Sequence, residues 1–184
     1  MYRTALIVTA LTLAGCQKVQ CPEPLYEGKA SDEAYLSLLD AEARATRNDS
    51  KATIFSNPTD GQQFAANDTP IFAWTSGLMA VAPKPLLPRE PTFRVMDFIY
   101  SSAWAHLAPV TGPIYWLRFG EKGQACPALE LLTTKTDFQA NSVAWTSLQG
   151  KTLELRSIAT YLQENRVTEG PFLPSKDISI SVAK

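Results

Sequence analysis

The side chains best suited to covalent or acid–base chemistry are few in this 184-residue chain. They are three cysteines, Cys16, Cys21 and Cys126, and a single histidine, His106. A thiol or hydroxyl acts as a nucleophile only when a base lies within hydrogen-bond reach and a third group orients that base. The sequence around His106 contains no motif that supplies such a group, and no cysteine or histidine spacing typical of a metal site occurs. We therefore predict a protein that is not an enzyme and that holds neither a metal nor a cofactor.

The residues before Cys16 have the parts of a bacterial export signal. A short basic start contains Arg3, and an apolar run follows from Thr4 to Leu13. This run is too short for a membrane-spanning helix, which needs ~20 apolar residues, but it suits the apolar region of a signal peptide. It ends in Leu13-Ala14-Gly15-Cys16, which resembles the lipobox of bacterial lipoproteins.

The resemblance implies that residues 1–15 are removed as a signal peptide and that the thiol of Cys16 forms a thioether to diacylglycerol. Acyl chains at Cys16 would anchor the protein to a membrane, because each buried CH₂ group contributes ~0.8 kcal/mol. In lipoproteins of this type an Asp directly after the cysteine favours the inner membrane. Gln17 stands there, so the resemblance implies the outer membrane. A plain secretory signal and a buried N-terminal helix are the alternatives.

Cys21 and Cys126 remain once Cys16 is used for the lipid. An exported chain reaches an oxidising compartment, where an even number of remaining cysteines favours pairing. We therefore predict a Cys21–Cys126 disulfide that ties the start of the chain to the folded body. Two unpaired thiols, one in a flexible tail and one buried, are the alternative, because a sequence does not give the distance between two Cα atoms.

Composition excludes several classes of protein. The chain is 45% hydrophobic and 19% charged, so it can bury a core and is not globally disordered. Its 17 basic and 18 acidic residues give a net charge of −1, which argues against a nucleic-acid partner bound by neutralising phosphates. The length suits one domain of ordinary size plus a tail.

The chain before Lys51 is predicted to form a tether and a short helix. Residues 16–30 lack periodicity and contain two prolines, as in an extended tether. Residues 31–50 are predicted to hold an amphipathic helix from about Ser31 to Thr46, followed by a linker. Ser31 is the predicted N-cap, and acidic residues follow it in the first turn. The helix could pack on the domain or bind a partner as a coiled-coil segment, and the first is favoured because one short helix is marginal alone in water.

Residues 51–184 show the pattern of an all-β domain. Short apolar or alternating runs are separated by Pro, Gly, Asn and Asp. Apolar and polar residues alternate in Ile178–Val182 and in Thr152–Arg156, as expected for strands with one buried face. The predicted strands are Ala52–Ser56, Ile71–Trp74, Phe93–Tyr100, Ile114–Phe119, Leu129–Thr134, Val143–Thr146, Thr152–Ile158 and Ile178–Val182.

Two segments of this region resemble the opening of bacterial fibronectin type III-like or Ig-like domains. They are Asn57-Pro58-Thr59-Asp60-Gly61 and Pro70-Ile71-Phe72-Ala73-Trp74. In such domains a turn of this composition joins two strands, and the Trp of the second strand enters the core. The resemblance implies an Ig-like β-sandwich over residues 51–184. Because a simple sandwich has ~100 residues, we expect insertions between its strands.

Aromatic side chains supply the candidate binding residues. Trp104 lies in a stretch rich in Ala, Pro and Ser, with Tyr100 and His106 nearby. Exposed Trp and Tyr are common in surfaces that bind proteins or sugars, because they offer a large rigid area with a polar edge. The remaining tryptophans are predicted to fill the core, and they are Trp74, Trp116 and Trp145.

Together these observations predict a non-catalytic interaction or scaffold module of the cell envelope. Its predicted partners are the outer membrane, through the lipid on Cys16, and another envelope protein. The alternative is a carbohydrate- or peptidoglycan-binding lipoprotein in which Trp104, Tyr100 and His106 contact a polysaccharide. A stoichiometric protein partner would favour the first function, and retention on cell-wall polysaccharide without protein would favour the second.

Overall fold

The computed structural model describes residues 21–80 and 108–184. This part of the chain is mostly β-strand, with two short α-helices and one 3₁₀ turn. The elements are β1 (Leu25–Glu27), α1 (Asp32–Glu42), β2 (Thr46–Arg47), β3 (Thr53–Asn57), β4 (Gln62–Phe64), β5 (Ile71–Ser76), a 3₁₀ turn (Gly77–Ala80), β6 (Gly112–Glu121), β7 (Leu129–Thr133), β8 (Asp137–Gln139), α2 (Ser142–Leu148), β9 (Thr152–Gln163), β10 (Arg166–Leu173) and β11 (Ile178–Val182).

The centre of the fold is a sheet of eight strands built around β6 and β9. These two strands pair antiparallel along their length, from Gly112 opposite Leu162 to Glu121 opposite Leu153. On the other edge of β6, β7 pairs antiparallel and β1 continues the sheet in parallel with β7. The other edge of β9 is shared between two strands, because β11 pairs with its first residues and β10 with its last. Short parallel strands complete both branches, β4 beside β11 and β2 beside β10.

A second, antiparallel sheet has the order β3-β5-β8 and packs on one face of the central sheet. Helix α2 contributes to the same apolar core, and helix α1 covers the opposite face of the central sheet. The residues of β6 alternate between the two cores, so Tyr115 and Leu117 face the small sheet whereas Ile114 and Trp116 face α1. Two packed sheets with one added helix make a sandwich-like, mostly β fold.

Most of the strands expected within the described residues are confirmed. Predicted strands coincide with β3, β5, β6, β7, β9 and β11, and the bounds of β11, Ile178–Val182, agree at both ends. In β9 the predicted alternation is also present, since Leu153 and Leu155 are buried while Glu154 and Arg156 are exposed. The predicted strand Phe93–Tyr100 lies outside the described residues. As expected, Trp74, Trp116 and Trp145 are all buried.

One predicted strand, Val143–Thr146, is wrong, because these residues belong to helix α2. The side chain of Asn141 accepts a hydrogen bond from the backbone N–H of Ala144 at 2.9 Å and so caps the helix. Ala144, Trp145 and Leu148 are buried, which is a helical spacing rather than an alternation. A short apolar run fits a strand or a buried helix equally well, and here packing into the apolar core between the sheets decides between them.

Strand β10 was not predicted from the sequence. Its middle contains Gly170-Pro171, and a proline inside an apolar run normally argues against a strand. The structure accommodates this pair by two interruptions of the register with β9, between Val167 and Glu169 and between Glu169 and Phe172. Gly170 has φ of 92°, and a Cβ there would lie 3.0 Å from the carbonyl oxygen of Ala159. The close approach to β9 therefore requires glycine.

The chain before Lys51 is more closely joined to the body than the sequence suggests. The predicted tether, residues 16–30, includes β1, which pairs with β7. The predicted helix is present and Ser31 caps it, accepting from the N–H of Ala34 at 3.3 Å. The helix ends at Glu42 rather than near Thr46, because Thr46 and Arg47 pair with β10 as β2. A boundary at Lys51 thus does not follow the packing, since β1, α1 and β2 all contact the central sheet.

Candidate functional site

The residues predicted to carry function fall into two groups. Cys16, Tyr100, Trp104 and His106 lie outside the described residues. Cys21 and Cys126 are brought together, with their Cα atoms 5.2 Å apart and their sulfur atoms at bonding distance. This geometry supports the predicted Cys21–Cys126 disulfide.

An open groove of about 480 Å³ runs beside strand β3. Three consecutive residues of β3, Thr53, Ile54 and Phe55, line it. Because successive side chains of a strand point to opposite faces, a groove lined by three in a row runs along the edge of the strand. The remaining apolar wall consists of Pro58, Leu155, Pro174 and Ile178. We call this cavity the β3 groove.

Strand β3 is an edge strand of the small sheet. It pairs with β5 on one side, and no strand among residues 21–80 and 108–184 pairs with its other side. Ile54 is 56% exposed although it is a large apolar residue. An unpaired edge beside exposed apolar side chains can accept a further strand, because its N–H and C=O groups are free to bond and the side chains are free to pack.

The polar rim of the groove is held by hydrogen bonds between loops. The carboxylate of Asp49 accepts from the backbone N–H of Ser175 at 2.6 Å and from its hydroxyl. Asp60 accepts from the ammonium group of Lys176 and from the N–H of Ser179 at 2.8 Å. The bond from Ser175 holds the pKa of Asp49 below its usual value, and the bond from Lys176 does the same for the pKa of Asp60. Both rim carboxylates therefore stay ionised and bonded at neutral pH.

One wall of the groove contains a buried hydroxyl without a partner. Thr53 is 1% exposed, and its Oγ1 has no hydrogen-bond partner within the described part of the chain. Buried hydroxyls are normally bonded, and leaving one unbonded costs about 1–3 kcal/mol.

A second polar cluster lies between α1 and the central sheet. Glu130 is 6% exposed, and it accepts from the indole Nε1 of Trp116 at 2.7 Å and from the hydroxyl of Tyr35 at 3.2 Å. The guanidinium group of Arg118 lies 4.0 Å from the centre of the Trp116 ring and forms an ion pair with Glu42 of α1. Burial, followed by the charge of Glu130, raises the pKa of Tyr35 to about 12, so its phenol remains a donor.

This Glu130 cluster was not predicted from the sequence. Its one signal is a glutamate inside the apolar run Leu129–Leu132, because a charged residue in a strand buried on both faces needs partners. Trp116 lies on the neighbouring strand β6, but Tyr35 is on α1, 95 residues away along the chain, and no local pattern names that partner. Because Trp116 and Tyr35 donate to the Glu130 carboxylate and Arg118 pairs with Glu42, the cluster fastens α1 to the sheet.

The described residues contain neither a candidate metal site nor a membrane-spanning helix. No group of three or more His, Cys, Asp or Glu side chains is arranged to hold a metal ion in residues 21–80 and 108–184. None of the helices in this part of the chain is long and apolar enough to cross a membrane. No protein-family model matches the chain, and no curated protein or solved structure shows significant similarity to it.

Proposed function

We propose that the protein is a lipid-anchored, non-catalytic binding module of the bacterial outer membrane, and that the β3 groove holds an extended segment of another envelope protein. The observation that carries this proposal is an apolar groove along a strand edge that pairs with no other strand in residues 21–80 and 108–184. In β-strand addition the edge supplies main-chain hydrogen bonds, and pockets beside it receive alternate side chains.

The dimensions and chemistry of the groove suit such a segment. A volume of about 480 Å³ is within the ~300–1,000 Å³ of typical binding pockets. Every second side chain of an added strand would face Phe55, Leu155 and Ile178, which favours apolar residues at those positions.

The groove is tested by site-specific crosslinking and substitution in the full-length protein. A photo-reactive residue at Ile54 should crosslink one envelope protein, whereas the same residue at Val143, which is 80% exposed on α2, should not. Ile54→Lys should abolish co-purification of that protein, and Val143→Lys should leave it unchanged. Equal crosslinking at both positions, or partner binding that survives Ile54→Lys, would contradict the proposal.

The lipid anchor rests on the lipobox-like sequence ending at Cys16. Cys16→Ser removes the thiol required for the thioether, so unprocessed precursor should accumulate and the protein should leave the detergent phase on partitioning. Cys21→Ser is the matched control and should keep the mature mass of a lipidated chain. If Cys16→Ser leaves mature mass and partitioning unchanged, the protein is not a lipoprotein.

The Ig-like or fibronectin type III-like assignment belongs to this proposal. It is supported by Trp74, which lies on β5 in the core between the two sheets, and by the turn at Asp60-Gly61, where Gly61 has φ of 79°. The parallel pairs of β1, β2 and β4 would then be additions to a simpler sandwich. An experimental structure that lacked the packing of β5 on β6 would refute the assignment.

A further inference from the structure

Cys21 and Cys126 mark one end of the central sheet. Cys126 lies in the turn between β6 and β7. Because β1 runs parallel to β7, with Leu25 opposite Leu131, the residues before β1 lie beside the residues before β7. Cys21 therefore reaches the same turn, and we call this part of the molecule, residues 121–127 with Cys21, the disulfide end.

The opposite end of the sheet is formed by the turn between β9 and β10 and by the first residues of β6. Gly112 is opposite Leu162 there, whereas Glu121 is opposite Leu153 at the disulfide end. A strand rises ~3.3 Å per residue, so the ten residues of β6 separate the two ends by about 30 Å. Glu164 and Asn165, in the β9–β10 turn, belong to the opposite end.

From these positions we infer that the disulfide end faces the membrane and rests against the headgroups of phospholipids. The inference depends on the proposed lipidation of Cys16. Cys16 and Cys21 are five residues apart, and five residues span at most about 18 Å whatever their conformation. A bonded Cys21 therefore holds the disulfide end close to the lipid, while the other end lies a further sheet length away.

The disulfide itself shortens the tether. Without it, the first residue held by a strand is Leu25, nine residues after Cys16, and the reach of the chain rises to about 32 Å. The bond thus shortens by about 14 Å the greatest distance that the tether allows between the membrane and the domain. This gives the pairing of Cys21 with Cys126 a positional role in addition to any effect on stability.

The surface of the disulfide end suits contact with headgroups rather than insertion. A polar cleft of about 300 Å³ lies there, with Lys122, Arg156, Glu154 and Asp177 in its walls. Lys122 and Arg156 are exposed and can donate to lipid phosphates. None of the exposed large apolar side chains in the described residues belongs to the turn at 121–127, so nothing there favours burial in hydrocarbon.

The orientation is measured in the lipidated full-length protein, bound to vesicles of phosphatidylethanolamine and phosphatidylglycerol that carry an acceptor dye. A donor dye is attached through a non-natural residue, which adds no thiol, either at Gln124 or at Glu164. Both positions are exposed, and they lie at the disulfide end and the opposite end respectively. Energy transfer should be greater from position 124 than from position 164. In the Cys21→Ser/Cys126→Ser variant the label at 124 should move away from the bilayer, by up to about 14 Å, and the difference between the positions should shrink.

Two results would overturn the inference, and they are distinguishable from each other. Equal transfer from both positions, in protein whose mass shows both the lipid and the disulfide, would refute the orientation alone. Mature protein that carries no lipid and does not bind vesicles would refute the proposed anchor together with the orientation. The comparison of positions 124 and 164 uses unsubstituted cysteines, so it stands even if the double variant does not fold.

Discussion

The two faces of the central sheet differ in the bonding of their buried polar groups. Toward α1, a buried carboxylate, an indole, a phenol and a guanidinium group form a bonded network around Glu130. Toward the small sheet, the core is apolar and aromatic, with Phe72 packed against Phe119 and Trp74 against Tyr115. Polar atoms on that side, among them Trp74 Nε1 and Thr53 Oγ1, have no partner within the described residues.

This difference distinguishes the face that α1 covers from the face that carries the proposed binding groove. The α1 face is covered by the helix, and the buried Glu130 carboxylate is bonded there to Trp116 and Tyr35. The other face ends at β3, whose outer edge pairs with no strand of residues 21–80 and 108–184 and lies beside a groove with apolar walls.

Removing a whole indole should produce the largest effects, one on each face. Trp74→Ala and Trp116→Ala should each lower the free energy of unfolding by about 3–5 kcal/mol, because both side chains are almost completely buried. Urea unfolding followed by circular dichroism measures the loss. A cost below about 1 kcal/mol at either position would mean that this face does not contribute a packed core.

Replacing each indole by phenylalanine should reveal the contrast between the faces. Trp116→Phe takes a donor from the buried Glu130 carboxylate, whereas Trp74→Phe removes an N–H that bonds to nothing in the described chain. We expect Trp116→Phe to cost about 1.5–3 kcal/mol more than Trp74→Phe, as for a hydrogen bond to a charged group. Equal costs in matched unfolding experiments would show that the Glu130 network adds nothing to packing.

A smaller contrast is expected between two buried threonines. Thr133 is fully buried, and its hydroxyl accepts from the N–H of Lys135 at 3.0 Å; Thr53 has no such bond. Thr133→Val should therefore lower the free energy of unfolding by about 1 kcal/mol, and Thr53→Val should leave it unchanged or raise it. A clear loss in Thr53→Val would indicate that its hydroxyl is bonded after all.

The smallest effect is an alkaline dependence of stability on the α1 face. Folding raises the pKa of Tyr35 from near 10 to about 12, chiefly by burial and next by the charge of Glu130. The folded state thus favours the neutral phenol, so this contribution is complete below about pH 10 and is lost as the pH rises toward about 12. The difference in unfolding midpoint between the unsubstituted protein and Tyr35→Phe should fall across that interval. A constant difference would contradict the assigned environment of Tyr35.

Sequence patterns were sufficient to predict an element where the signal lies within the element or directly beside it. The alternation of Ile178–Val182 and the N-cap at Ser31 predicted β11 and the start of α1, since both signals are local. Val143–Thr146 failed because a four-residue apolar run does not distinguish a strand from a buried helix. Strand β10 was missed because Gly170-Pro171 is tolerated only through irregular pairing with β9.

By itself the sequence determined a mostly β body, the capped helix near Ser31, the buried tryptophans and the pair of cysteines available to bond. Only the tertiary structure decided that β1 and β2 join the central sheet and that Glu130 finds its donors on β6 and α1. It also decided that, within the described part of the chain, one edge of β3 pairs with no strand and lies beside a groove. The reason is physical. Periodicity and capping depend on residues a few positions apart, whereas pairing of edges and satisfaction of buried polar atoms depend on residues distant in the chain, whose approach no local pattern encodes.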